Sequence, residues 1–165
     1  MATTPESSKA TSNNQSLNTE EPFNKVVKNL KRLRRYLTWP LTKVVKTNLP
    51  IHHSVSLLPS SWVSLINNSD ADVVNFHWLQ RETISIADIA KIKKPIVWTL
   101  HDMWAFCGAE HYTNDNRWRT GYNENNRPDY ESGFDLNRWT WNRKKKYWKK
   151  PIQIITPSNW LASCV

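Results

Sequence analysis

The sequence predicts an α/β fold in which a parallel sheet is covered by helices on both faces. Short apolar runs typical of buried strands alternate with helical patterns between residues 70 and 165, and this alternation indicates βαβ units. The ten Trp residues among 165 favour a substantial buried core. The length corresponds to one domain or to part of a larger one.

The first 22 residues are rich in Ser, Thr and Asn and almost free of apolar side chains. Such a segment cannot bury enough surface to offset its ordering entropy, so a disordered tail is predicted at 1–22. It lacks the apolar stretch of a secretory signal, and the chain contains no apolar run long enough for a membrane-spanning helix. We therefore expect a cytoplasmic protein whose two cysteines, Cys107 and Cys164, are reduced.

Residues 23–69 are expected to form a basic amphipathic helix followed by loops. Apolar side chains recur at helical spacing between 23 and 37, and cationic side chains occupy the opposite face. The prolines at 40, 50 and 59 are expected to break the segment into loops, and a short helix is predicted after Ser60. The sequence leaves two roles open for the basic helix: an interfacial helix on anionic lipid, or a helix docked on the sheet.

Three strands alternate with helices in the rest of the chain. The predicted elements are a strand at 72–77, a helix at 85–92, a strand at 96–100, a helix at 135–148 and a strand at 152–156. Ser85 caps the first of these helices, with Asp88 in capping-box spacing, and Asp135 caps the second. Ser158 opens a further helix that the sequence ends within, so we expect the domain at 70–165 to be incomplete.

Polar and aromatic side chains follow the carboxyl ends of the three predicted strands, where ligands of open α/β sheets bind. The first end carries His77 and Trp78, the second carries HDMW at 101–104, and the third carries PSNW at 157–160. Sugar rings pack their apolar faces on Trp, and sugar hydroxyls bond to His, Asp and Asn. These ends therefore suit a carbohydrate. The three glycines of the chain are too scattered for a Gly-rich phosphate loop.

The net charge of +9 is divided into two cationic blocks. Residues 23–50 hold eight basic side chains and no acidic one, and residues 136–165 hold seven basic side chains and no acidic one. Residues 51–135 hold seven basic and eleven acidic side chains. This distribution favours contact with an anionic membrane or a lipid-linked phosphate over contact with nucleic acid.

Three stretches resemble the N-terminal domain of family-4-type glycosyltransferases. They are DADVVNFHWLQ from Asp70, SIADIAKIKKPIVWTLHDMWAFCGAEHY from Ser85 and NRKKKYWKKPIQIITPSNWLASC from Asn142. The resemblance covers residues 60–165 and is greatest to enzymes of colanic-acid, O-antigen and other exopolysaccharide pathways. Such enzymes have a GT-B fold of two Rossmann-like domains, retain the anomeric configuration and need no metal. The resemblance implies that 70–165 is an incomplete Rossmann-like acceptor-side domain.

The resemblance also implies roles for the residues at the strand ends. His101 and Asp102 are expected to be catalytic, with His101 facing the donor sugar. The residues expected to bind substrate are His77, Trp78, Met103, Trp104, Ser158 and Trp160. The implied reaction moves a hexose from a nucleotide sugar to a cell-surface polysaccharide or lipid-linked glycan, at the inner face of the cell membrane. The nucleotide sugar is a donor substrate held mainly by a C-terminal domain, and no cofactor is implied.

The sequence departs from this family pattern at three points. The cysteine cluster of many relatives is replaced by Glu110, Tyr122 and Asn125, so no structural metal is expected there. The family's first strand and its glycine-containing loop do not occur at residues 1–22. The donor domain, whose cationic side chains neutralise the diphosphate leaving group, is also lacking. We therefore expect this chain alone to be inactive.

Two interpretations compete with a glycosyltransferase domain. A non-catalytic basic module would bind anionic membrane or nucleic acid through the two cationic blocks, and its binding would weaken as salt rises. A metal site would draw on four residues that show no short ligand spacing: His77, His101, Asp102 and His111.

The tryptophans and the remaining histidines divide by their surroundings in the sequence. The tryptophans on apolar faces, which are expected in the core, are Trp62, Trp98 and Trp139. The tryptophans in strand-end or loop positions, where a sugar platform is equally plausible, are Trp78, Trp104 and Trp118. His52 and His53 lie in an unpatterned loop and are expected to be solvated.

Overall fold

The structure is a computed structural model that describes residues 25–47 and 50–165. Its elements are α1 (Lys25–Thr42), β1 (Val45–Thr47), α2 (Trp62–Asn68), β2 (Val74–His77), α3 (Ile86–Lys91), β3 (Ile96–Thr99), α4 (Arg117–Thr120), a 3₁₀ turn (Glu124–Asn126), β4 (Glu131–Gly133), α5 (Leu136–Tyr147), β5 (Gln153–Ile155) and α6 (Asn159–Cys164). The tail predicted at 1–22 lies outside the described residues.

A three-stranded parallel sheet is the centre of the fold. The strands lie in the order β2, β3, β5, and both neighbouring pairs are parallel. Phe76 stands opposite Trp98, which in turn stands opposite Ile154. The predicted strands and their parallel arrangement are confirmed, and the fold is mixed α/β.

The helices pack against one face of this sheet. Strands that follow one another in chain order with right-handed crossovers place their helices on the same side, and α3 contacts α5 there. Phe76 and Trp98 are buried on this face, together with Ile86 and Ile89 of α3.

The opposite face of the sheet is open in the described part of the chain. It presents Asn75, His77, Gln153 and Ile155, all exposed, between half-buried side chains of β3. We expected helices on both faces of the sheet, but in the described residues one face is uncovered. The physical reason is the sequential strand order, which sends every crossover to the same side.

The helix starts were read correctly from the sequence. Ser85 Oγ accepts from the backbone N–H of Asp88 at 3.0 Å, and Asp135 Oδ1 accepts from the N–H of Arg138 at 2.9 Å. Ser158 caps α6 in the same way. Each side chain satisfies a backbone donor that the first turn of a helix leaves without a partner.

Two features of the fold differ from the sequence expectations. The helix α1 runs through Pro40 and ends at Thr42, because the proline stands close to the helix end and interrupts few backbone bonds there. A second, antiparallel sheet joins β1 to β4. At the end of β4, Gly133 has a φ of 75°, and an added Cβ there would meet Val44 O at 2.7 Å. Neither three-residue strand has a detectable sequence pattern.

The stretch 102–134 is ordered by a buried guanidinium. Arg117 is 1% exposed and forms ion pairs with Asp115, Glu131 and Asp135. The three carboxylates raise the pKa of Arg117 against the effect of burial. One cation therefore ties the loop after β3 to β4 and to the start of α5.

We predict that Ile96→Ala lowers the free energy of unfolding by about 2–4 kcal/mol, because it opens a cavity on the covered face of the sheet. Ile155→Ala is the matched control, since Ile155 lies on the open face with 48% of its surface exposed, against 8% for Ile96. The control should cost less than about 1 kcal/mol. Urea denaturation followed by Trp fluorescence measures both, and equal losses would contradict a one-sided core.

Candidate functional site

Two histidines meet at the carboxyl ends of the neighbouring strands β2 and β3. His77 Nδ1 lies 3.0 Å from His101 Nε2, so one ring donates a hydrogen bond to the other. Both side chains are exposed. Their remaining ring nitrogens, Nε2 of His77 and Nδ1 of His101, have no hydrogen-bond partner among residues 25–47 and 50–165 and are available to a ligand.

The loop after β2 is held in an unusual backbone conformation. Trp78, Arg81 and Glu82 have φ angles of 21°, 48° and 63°, which side chains rarely adopt without support from their surroundings. The Glu82 carboxylate provides support, because its Oε2 accepts from the N–H groups of Leu57 and Leu58 at 2.7 and 2.8 Å. The loop is thereby fixed with the Trp78 ring 56% exposed.

Asp102 turns away from His101 and into the protein. Its Oδ2 lies 2.6 Å from His111 Nδ1, and its Oδ1 accepts from the N–H of Trp104 at 3.0 Å. His111 Nε2 lies 2.8 Å from Ser54 Oγ. The residue expected to act beside His101 therefore belongs to a buried chain of hydrogen bonds, since Asp102, His111 and Ser54 are all less than 9% exposed.

Short antiparallel pairing brings these distant segments together. The backbone of Ser54 donates to Ala109 O at 2.8 Å, and that of His111 donates to His52 O at 3.0 Å. The N–H of Met103 in turn bonds to His111 O at 3.0 Å. The segments around residues 53, 102 and 110 are thus held side by side.

Two cavities adjoin this arrangement. The larger, of about 670 Å³, is lined by both strand-end histidines, Trp78 and Tyr112. The smaller, of about 430 Å³, is lined by Ser54 and by residues of α1. His52 and Arg81 line both cavities, so the two spaces are neighbours.

The other residues implied by the resemblance lie apart from the cavities. Met103 and Trp104 are each 1% exposed and belong to the hydrophobic core, so neither offers a surface to a substrate. The Ser158 hydroxyl caps α6 by accepting a hydrogen bond from the N–H of Leu161. Trp160 is exposed in the first turn of α6 and lines neither cavity.

The tryptophans mostly follow the division expected from the sequence. Trp98 is buried, and Trp62 and Trp139 pack against the two core clusters. Trp118 is half-buried with its ring against Phe106.

A buried lysine holds the loop that follows His101. Lys144 of α5 donates through Nζ to the carbonyls of Trp104, Cys107 and Gly108, the last two at 3.1 and 2.7 Å. Its Nζ also lies 3.9 Å from the centre of the Trp104 ring. Burial lowers the pKa of Lys144, but three acceptors require the three donors of an ammonium group.

Two of the three residues Glu110, Tyr122 and Asn125 are brought together. The Tyr122 hydroxyl donates to Glu110 Oε1, while Asn125 lies in the exposed 3₁₀ turn. Burial raises the pKa of Glu110. In the part of the chain that the structure describes, no three His, Cys, Asp or Glu residues are grouped to hold a metal ion.

His53, but not His52, differs from the expectation that both are solvated. His52 is exposed, and its ring centre lies 4.8 Å from that of His111. His53 is half-buried, and burial lowers its pKa to about 4, so its ring is neutral at neutral pH. The loop is part of the site because it lies beside His111.

Sequence reasoning missed Ser54, His52, Arg81 and Tyr112 as residues of the site. They stand outside the predicted strands, and none belongs to a recognisable spacing with His101. Tyr112 follows His111 and donates its hydroxyl to His101 O at 3.0 Å. The one usable signal was the position of Tyr112 at the end of the run that begins with HDMW.

Comparison of the chain with protein-family models, with curated proteins and with solved structures finds no match. Within the described ranges, none of the helices has the length and apolar character needed to cross a bilayer.

We predict that Lys144→Met destabilises the protein by about 2–4 kcal/mol, because three buried carbonyls lose their donor. Lys145→Met is the matched control, since Lys145 is the next residue of α5 and is exposed. It should change stability by less than about 0.5 kcal/mol. Denaturation with guanidinium compares the two variants, and a similar small effect for both would refute the role given to Lys144.

Proposed function

We propose that the chain is the acceptor-side, Rossmann-like domain of a retaining GT-B glycosyltransferase that acts on a cell-surface polysaccharide or lipid-linked glycan. The observation that carries the proposal is the meeting of His77 and His101 beside the exposed Trp78, at the ends of two parallel strands. Ligands of open α/β sheets bind at this position. The sequence resemblance supplies the reaction class.

The exposed groups at the larger cavity suit a sugar. Trp78 and Tyr112 are 56% and 54% exposed and offer flat apolar surfaces to the C–H face of a pyranose ring. The free nitrogens of His77 and His101 can donate to or accept from sugar hydroxyls, according to their tautomers. Apolar stacking combined with a few directed polar groups is the usual chemistry of a specific small-ligand site.

In this proposal His101 contacts the reacting sugars, whereas Asp102 acts only as a positioning residue. Asp102 borders the larger cavity together with His111, but its two oxygens are already engaged with His111 and with the Trp104 backbone. It fixes the loop on which His101 stands, and Tyr112 fixes the His101 carbonyl. The charge of the diphosphate leaving group is met by a donor-binding domain, as in the enzymes that the chain resembles.

We predict that the chain binds hexose-containing oligosaccharides, and that Trp78→Ala and His101→Ala each weaken binding at least about ten-fold, or 1.4 kcal/mol. Isothermal titration with a panel of such oligosaccharides measures the affinity. Phe134→Ala is the control, because Phe134 is 52% exposed but lines neither cavity. Absence of saturable binding, or an equal loss in the control, would count against the proposal.

A second candidate function, membrane attachment through α1, is favoured by a separate observation. The helix docks through Arg34, which donates to the carbonyls of Leu58 and Pro59, and through the buried Thr38. Among the side chains that the structure describes in this helix, Leu33 and Leu37 point outward and are 51% and 66% exposed.

This outward apolar stripe stands in the most cationic part of the chain. Residues 23–50 hold eight basic and no acidic side chains, and Leu41 continues the stripe towards the end of the helix. An apolar face flanked by cations is typical of a helix that lies in an anionic lipid interface. Peripheral contact with the inner face of the cell membrane is therefore the partner we propose for α1, with no role for nucleic acid.

We predict that the protein co-sediments with vesicles containing phosphatidylglycerol and not with vesicles of phosphatidylcholine alone. Binding should weaken as salt is raised, because part of it is electrostatic. Leu37→Glu should reduce it at least about ten-fold through loss of apolar insertion. Leu65→Glu is the control, since Leu65 is 41% exposed on α2, and equal binding by both variants would contradict the role of α1.

A further inference from the structure

We propose that Ser54, His111 and Asp102 form a hydrogen-bonded triad that makes Ser54 Oγ a nucleophile towards short-chain carboxylic esters. The proposal goes beyond glycan binding and does not depend on it. The three side chains lie in the order required for nucleophile, base and orienting carboxylate, with separations of 2.8 and 2.6 Å. A triad is recognised by this geometry and not by sequence position.

The hydrogen bonds run in the direction that the chemistry needs. The backbone N–H of Arg81 donates to Ser54 Oγ at 3.3 Å, so the hydroxyl accepts there and directs its own proton to His111 Nε2. His111 then carries its ring proton on Nδ1 and donates it to Asp102 Oδ2. This is the tautomer in which a histidine can take a proton from a serine.

The base is held rigidly in place. Trp104 stacks on His111 with ring centres 6.1 Å apart and planes inclined by 19°, and its Nε1–H donates to Ser54 O at 3.0 Å. The second oxygen of Asp102 accepts from the Trp104 backbone. One tryptophan therefore contacts all three members of the triad, which fixes their relative geometry before a substrate arrives.

An ester can approach from the smaller cavity, which Ser54 lines. The volume of about 430 Å³ accommodates a small acyl group with a modest alcohol portion. Ile51 and Val55 supply apolar lining beside Ser54.

The reaction balances with water as the only co-substrate. Ser54 Oγ forms a bond to the ester carbonyl carbon while its proton moves to His111 Nε2. The C–O bond to the alcohol breaks, and the alcohol leaves with that proton. Water then attacks the acyl-serine, passing one proton through His111 to Ser54 Oγ, and the carboxylic acid is released. Asp102 stays ionised and stabilises the imidazolium in both halves.

The test uses a fluorophosphonate probe, which reacts with activated serine hydroxyls, together with hydrolysis of p-nitrophenyl acetate. Intact-mass analysis should show one adduct on the folded full chain, and peptide mapping should place it on Ser54. His111→Gln and Asp102→Asn should lower the labelling rate at least about a hundred-fold. Ester hydrolysis should fall with it.

Ser56→Ala is the matched control, because Ser56 lies two residues from Ser54, is fully buried, and has a hydroxyl without a partner in the described part of the chain. It should label at the unaltered rate. An unlabelled folded chain, an adduct on another serine, or unchanged labelling of Asp102→Asn would overturn the proposal. Mapping the adduct on the unaltered chain keeps the test decisive even where a variant of the buried triad fails to fold. Glycan titration is a separate measurement, so the two proposals can fail independently.

Discussion

The buried ammonium of Lys144 is the interaction on which the site depends. Removing an ammonium from water costs several kcal/mol, and the protein offsets this with three carbonyls from the segment 104–108 and with the face of Trp104. Hydrogen bonds to a charged group contribute about 1.5–3 kcal/mol each. These bonds require segment 104–108 to fold around Lys144 Nζ. They thereby hold part of a long irregular connection in a fixed conformation.

Three residues of the site contact Trp104 of this loop, which explains why the loop must be rigid. Trp104 receives the Lys144 cation on its ring and contacts Asp102, His111 and Ser54 through its backbone, its ring face and its indole N–H. A shift of the loop would therefore separate groups that stand 9 to 57 residues apart in the chain. The helix α5 acts on the strand ends through Lys144, and its Arg143 also donates to the carbonyls of Val55 and Ser56, although α5 contributes no residue to the cavity beside Trp78.

The elements that the sequence predicted are those with a strong local cause. Short apolar runs indicated β2 and β3, and side-chain caps at Ser85 and Asp135 indicated the starts of α3 and α5. The site was predictable only at His77, Trp78 and His101, because parallel strands bring their carboxyl ends together whatever lies between them.

The rest of the site could not be predicted from the sequence because its causes are not local. Ser54 meets His111 through backbone pairing that involves a single bridge, between His53 and Glu110. Consecutive residues can also differ in burial: at the end of β3, His101 is exposed and Asp102 is buried. The same turn therefore presents the exposed His101 to the large cavity, while the Asp102 carboxylate, which also borders that cavity, bonds inward to His111 and Trp104, so two different chemistries can share one strand end. From residue type alone, His101 and Asp102 were both expected to be catalytic. In the structure the two side chains point in different directions and make different contacts.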